Sequence, residues 1–263
     1  MDLSRATVLF IGCGNMGSAL VLGLKKLHVG RVLLFDIDQE KTRALAALSG
    51  AEIADDLVRG VGAANMIVLA IKPQHLKPFL ASHAPLLRPD QILISILAGI
   101  KTASLRASLS CRLARAMPNT PALAGMGFTA ICGPDAEAVN CANAIFSCVG
   151  TVITVDEDAM DAVTALSGAG PAYVFYFAEM FQKAAREAGF GAEEARTLMQ
   201  QTMAGALRLL ADPEKTPESL RAQVTSPGGV TEAAIGEMKR LGFENSILQG
   251  IMRGIERSKA LGT

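Results

Sequence analysis

The six residues Gly12-Cys13-Gly14-Asn15-Met16-Gly17 stand directly after a short apolar run, Thr7–Gly12, and open a helical pattern, Met16–Leu27. Glycines at this spacing suit the cradling of a pyrophosphate. Gly12 permits a tight turn, Gly14 lets the backbone approach a phosphate, and Gly17 lets the helix lie close to the strand. The helix start at Asn15 and Met16 then offers N–H groups and the positive end of its dipole to the anion. A lone motif of this kind is weak. Its place between a strand and a helix, at the head of a strand–helix–strand unit, is what the fingerprint requires. The second strand, Arg31–Asp36, ends on a carboxylate 22 residues after Gly14. A carboxylate there accepts hydrogen bonds from the adenosine ribose and repels a 2′-phosphate, which favours NAD over NADP. Arg43 compensates only if its helix brings it back.

Two more strand ends carry polar or small residues. The third strand ends in Ala70-Ile71-Lys72-Pro73-Gln74, the fourth in Ser95-Ile96-Leu97-Ala98-Gly99. Ligands of a doubly wound sheet lie outside the carboxyl ends of its strands, so both ends should flank the cofactor. Lys72 either touches a phosphate or ribose or is a solvated lysine. In Met117-Pro118-Asn119-Thr120-Pro121, two prolines bracket Asn-Thr and stiffen the turn. In Ser226-Pro227-Gly228-Gly229-Val230-Thr231, serine before proline reads as an N-cap and first helical position. The glycine pair there leaves backbone N–H groups uncovered, a cradle for a carboxylate. Each segment reads equally well as a rigid connector.

The elements that must position these residues change character along the chain. Apolar strands are expected at Thr7–Gly12, Arg31–Asp36, Met66–Ile71, Gln91–Leu97, Arg112–Ala116, Gly127–Cys132 and Thr151–Val155, with a helix at Gln39–Leu48. Continuous apolar strands alternating with helices predict a mostly parallel sheet covered on both faces. No strand pattern follows Asp156. Helices are expected from Met160 to about Gly189, interrupted near Gly168–Pro171, then at Glu193–Leu210, Pro217–Val224, about Gly229–Leu241 and Ser246–Lys259. The fold class is therefore α/β: an N-terminal Rossmann-type doubly wound sheet, residues 1–156, and an all-helical domain, residues 157–263. So apolar a helical tail must bury its surface, either in a homodimer or against its own chain; the dimer is the preferred reading.

Composition narrows the partners. Basic and acidic residues number 25 each, which argues against nucleic acid, and there is no polybasic signal for a membrane surface. No apolar stretch approaches a membrane span, and the opening run is too short for a signal peptide. Five cysteines without a Cys-x-x-Cys pair and three histidines without ligand spacing predict no metal and a reduced, cytoplasmic setting.

Taken together and in order, the Gly12–Gly17 turn, Lys72-Pro73-Gln74, Ala98-Gly99, Met117–Pro121, Ser167-Gly168-Ala169-Gly170-Pro171-Ala172-Tyr173 and Ser226–Thr231 resemble the Δ1-pyrroline-5-carboxylate reductases over nearly the whole chain. The resemblance implies NAD(P)H-dependent reduction of a ring C=N bond in the last step of proline synthesis, without a metal. It implies a helical domain that interlocks with a partner subunit, as a homodimer or a ring of dimers. By similarity, Ser226 and the helix start at Gly228, Gly229, Val230 and Thr231 hold the substrate carboxylate, and the Thr231 hydroxyl bonds the ring nitrogen. Asn119 and Pro118 border the nicotinamide pocket. Ala169 stands where a serine is usual, and Met126 where an acidic residue is frequent. Two other readings remain open: a β-hydroxyacid dehydrogenase with Lys183 as base, and a non-catalytic NAD(H) sensor on the same scaffold.

Overall fold

A computed structural model describes residues 1–261. Eight strands form one sheet: β1 (Thr7–Ile11), β2 (Arg31–Phe35), β3 (Glu52–Ile53), β4 (Met66–Leu69), β5 (Ile92–Ser95), β6 (Arg112–Met117), β7 (Gly127–Cys132) and β8 (Gly150–Thr154). Their order is β3-β2-β1-β4-β5-β6-β7-β8. All pairings are parallel except β6 with β7, where Ala116 faces Ile131 in antiparallel register. The reversal follows from the link between them, a single 3-10 segment at Thr120–Ala124, too short for a crossover helix.

Side chains alternate across the sheet and divide the core in two. Val8, Phe10, Leu34, Val68 and Ile94 face one layer, where α1 (Asn15–Gly23), α2 (Gln39–Ser49) and α6 (Ala136–Ser147) supply Leu20, Leu45 and Phe146. Leu9, Ile11, Leu33, Ile67 and Leu93 face the other, where α3 (Leu57–Ala63), α4 (Leu76–His83) and α5 (Thr102–Arg106) supply Val61, Phe79 and Leu105. Covering both faces explains the unbroken apolar runs of the central strands.

Strands β4 and β5 are shorter than the apolar runs Met66–Ile71 and Gln91–Leu97 suggest, because the ladder stops at Leu69 and Ser95. The two-residue β3 escaped the sequence pattern, and the first helix gives way at Leu24 to a 3-10 turn. The interruption expected near Gly168 is a π turn, Thr164–Gly168, between α7 (Met160–Val163) and α8 (Gly170–Glu187). The remaining helices are α9 (Ala192–Leu210), α10 (Pro217–Gln223), α11 (Val230–Arg240) and α12 (Phe243–Leu261). Their starts are capped from within: the Glu194 carboxylate accepts the Gly191 N–H at 2.8 Å, and Thr216 forms a capping box with Ser219.

By compactness, Met1–Pro171 together with the residues from Gly254 on make one unit, and Ala172–Arg253 another. Inside the second, Phe177 packs against Phe181 and Phe243. Inside the first, the Ser258 hydroxyl donates to the Asp161 carboxylate at 2.7 Å, with both residues buried. Removing a partner from a buried charge costs more than an ordinary hydrogen bond. Ser258→Ala is therefore expected to lower stability by about 1.5–3 kcal/mol, read as a lower urea midpoint; an unchanged midpoint would show that Asp161 finds water instead.

Candidate active site

The phosphate turn is built by close approach. Gly12 has φ +111°, and a Cβ on it would stand 2.5 Å from the Ala70 carbonyl oxygen. A Cβ on Gly17 would stand 2.1 Å from the Gly12 carbonyl oxygen. Gly14 differs: a Cβ there would meet no protein atom within 4 Å. Packing does not explain this glycine, whereas a ligand lying against the backbone does. Gly14 is also the N-cap of α1 and carries no capping side chain, so the first N–H groups of that helix are left for an anion. This is the fit expected of a dinucleotide pyrophosphate.

Asp36 sits beside the turn. Its Oδ2 accepts the Cys13 N–H at 2.6 Å and its Oδ1 accepts the Asp38 N–H at 2.9 Å. An ionised carboxylate has about four acceptor positions, so two remain open to further donors. Burial pushes the Cys13 thiol up to about 11, which keeps it neutral beside Asp36 near neutral pH.

A cleft of about 900 Å³ runs along these strand ends and brings together Gly12, Gly14, Asp36, Ala70 and Lys72 of the expected residues. Asn15, Met16 and Gly17 continue into α1, and Pro73 begins the 3-10 turn after Lys72. Ala98 follows β5, while Pro118 and Asn119 follow β6; these lie outside the cleft walls. Arg43 is not on the walls either. Residues that sequence reasoning missed include Ile37, Asp38, Lys41, Asp55, Asp56 and Phe79. The only sequence signal for the two later aspartates is their place just past the very short β3.

The Asn119 side chain is committed at both ends. Its carbonyl accepts the Phe128 N–H at 2.8 Å, and its amide donates to the Ser167 hydroxyl at 3.1 Å. The Pro118–Asn119 turn is thereby tied to β7 and to the π turn at once. Gly168 completes the contact, since a Cβ there would come within 2.6 Å of Met117 Cε.

In the second unit, Gly228 has φ +70° and its N–H donates to the Glu232 carboxylate at 2.7 Å. The Gly229 N–H donates to the Ser226 carbonyl at 3.0 Å and Gly229 caps α11. Val230 is exposed and Thr231 half-buried at the start of that helix. Lys183, the base required by a β-hydroxyacid dehydrogenase, is 68 % exposed and lies 3.9 Å from Glu187.

Known proteins give the same picture. A family model described as pyrroline-5-carboxylate reductase dimerisation matches residues 157–261, and one described as coenzyme F420-dependent NADP oxidoreductase matches residues 7–99. A solved Plasmodium falciparum pyrroline carboxylate reductase with NADP bound superposes with a TM-score of 0.89 at 26% identity, covering all of both chains. A pyrroline-5-carboxylate reductase structure from Coxiella burnetii gives 0.88 at 32% identity, covering 98% of this chain and 99% of that one. The sheet with its glycine cradle and the helical dimerisation segment thus define an NAD(P)-dependent oxidoreductase. The pyrroline-5-carboxylate reductase of Pseudomonas aeruginosa is 36% identical over 98% of each chain. This chain belongs to the pyrroline-5-carboxylate reductase family.

The cradle tolerates no side chain at Gly17, because the obstructing atom is backbone. Gly17→Ala is expected to weaken NAD(P)H binding at least ~tenfold, equivalent to ~1.4 kcal/mol, in a fluorescence titration. Wild-type affinity in that variant would contradict the placement of the phosphates here.

Proposed function

We propose that this protein reduces the ring C=N bond of Δ1-pyrroline-5-carboxylate to give L-proline, with residues 1–156 as the nucleotide-binding part and 157–263 as the part that holds substrate and dimerises. Likeness to reductases of this family along the whole chain carries the reading, and a Gly14 that faces open space supports it.

Gly12, Gly14, Asn15, Met16 and Gly17 hold the pyrophosphate, and Asp36 takes the adenosine ribose and favours NADH. Ala70, Lys72, Pro73 and Ala98 border the cofactor. Pro118 and Asn119 shape the nicotinamide end through their turn, with Asn119 also lining the substrate side. When bound, the cofactor supplies the hydride. Ser226 and the N–H groups at Gly228, Gly229 and Val230 hold the substrate carboxylate. Thr231 bonds the ring nitrogen, which arrives protonated, so the chain needs no strong general acid. The exposed Lys183 disfavours an alcohol-oxidising site.

The family's dimerisation segment, with Phe175, Tyr176, Leu207, Leu248 and Met252 exposed on its helices, supports a homodimer, alone or as the unit of a ring of dimers. Five free cysteines support a cytoplasmic setting. No helix among the described residues is long and apolar enough to cross a membrane.

The direct test follows oxidation of NADH and of NADPH with Δ1-pyrroline-5-carboxylate, and proline as product. No turnover by protein that binds cofactor would refute the reading. Thr231→Ala, which removes one hydrogen bond of about 1 kcal/mol, is expected to lower kcat/KM about fivefold or more; unchanged kinetics would take Thr231 out of the site. Light scattering should give an even multiple of the chain mass, and a monomer at working concentration would refute the dimer.

A further inference from the structure

The wall that receives the adenosine ribose carries more charge than Asp36 alone. Asp38, Asp55 and Asp56 stand on the same cleft. So does Lys41, in the first turn of α2, and it is already engaged: its ammonium lies 2.8 Å from Asp38 Oδ2. Asp38 is itself fixed. Its other oxygen accepts the Lys41 N–H at 3.2 Å as the N-cap of α2, and its own N–H donates to Asp36. Hydrogen bonding between the two side chains holds Asp38 below and Lys41 above their ordinary values, and the charge of Asp36 also reaches Lys41. Asp36, Asp38 and Lys41 are therefore one neighbourhood.

A 2′-phosphate placed beside Asp36 needs a cation to offset a like-charge contact. Lys41 stands there, but its charge is offset by Asp38. Lys72, the other lysine of the cleft, follows β4, and β1 separates that strand from β2. We infer that Asp38 is a second selectivity residue: by holding Lys41 it denies the 2′-phosphate of NADP(H) the cation beside Asp36, and so reinforces the choice of NADH. This rests on the NADH preference stated above.

The interaction is exposed and weak in itself; its weight lies in the charge balance at the ribose. Asp38→Asn removes the charge and keeps a side-chain oxygen that caps a helix equally well, so α2 should still form. The test is calorimetric titration of NAD+ and NADP+ into the wild type, Asp38→Asn, and Asp38→Asn combined with Lys41→Met. The wild type should bind NAD+ more tightly. Asp38→Asn should move the ratio of the two Kd values about tenfold towards NADP+, and the double variant should lose most of that shift. A wild type that prefers NADP+ would sink the underlying NADH reading. With an NAD+-preferring wild type, a ratio that Asp38→Asn moves less than about twofold would overturn this inference alone. A shift kept in full by the double variant would overturn the part given to Lys41.

Discussion

The hydrogen bond from the Cys13 N–H to the Asp36 carboxylate, 2.6 Å long, joins the glycine turn to the end of β2 without any ligand. Beside it, the Gly12 N–H donates to the Phe35 carbonyl at 2.8 Å. The glycine turn and the end of β2, proposed to meet phosphates and ribose, are thus held at one spacing by the protein itself. Ligand binding then spends little free energy on ordering these groups. The same bond requires Asp36 to remain an acceptor, so in the proposed binding mode the carboxylate serves folding and recognition together.

A comparable economy governs the end of β6. Asn119 sits between two prolines and has both ends of its amide occupied within the first unit. A half-buried amide in that state positions its own turn more firmly than a free one could. The π turn at Thr164–Gly168 presents Ser167 to it, and the bare Gly168 lets Met117 close the gap. Local widening of a helix by one residue often marks a place where function has imposed a geometry. Here it lies where β6, β7 and the π turn after α7 are tied together.

Much of this was legible in the residues. Val8–Ile11 and Met66–Leu69 are runs that only a strand buried on both faces would use, and the glycine spacing marked a turn that the structure places beside Asp36 on one cleft. What escaped notice depended on contacts between distant segments. Glu52–Ile53 is too short to show a period, and its pairing with Leu33 and Leu34 makes it a strand. The antiparallel turn of β7 depends on the length of a connection, not on the strand's own residues. Asp38 and Lys41 read as ordinary residues of a helix start; only the cleft gives them a ligand to face. The apolar character of Ile71, Ile96 and Leu97 extended two strands too far, because those residues pack against the core after the ladder has ended.

The bond between Ser258 and Asp161 has a consequence for synthesis. The two lie 97 positions apart in the chain. At a ribosomal pace of roughly 5–20 residues per second, the buried carboxylate waits about 5–20 s for its hydroxyl. Throughout that interval the Asp161 side chain, on α7, is without the Ser258 hydroxyl that covers it in the finished fold. The first unit is thus completed by a segment translated after all of Ala172–Arg253.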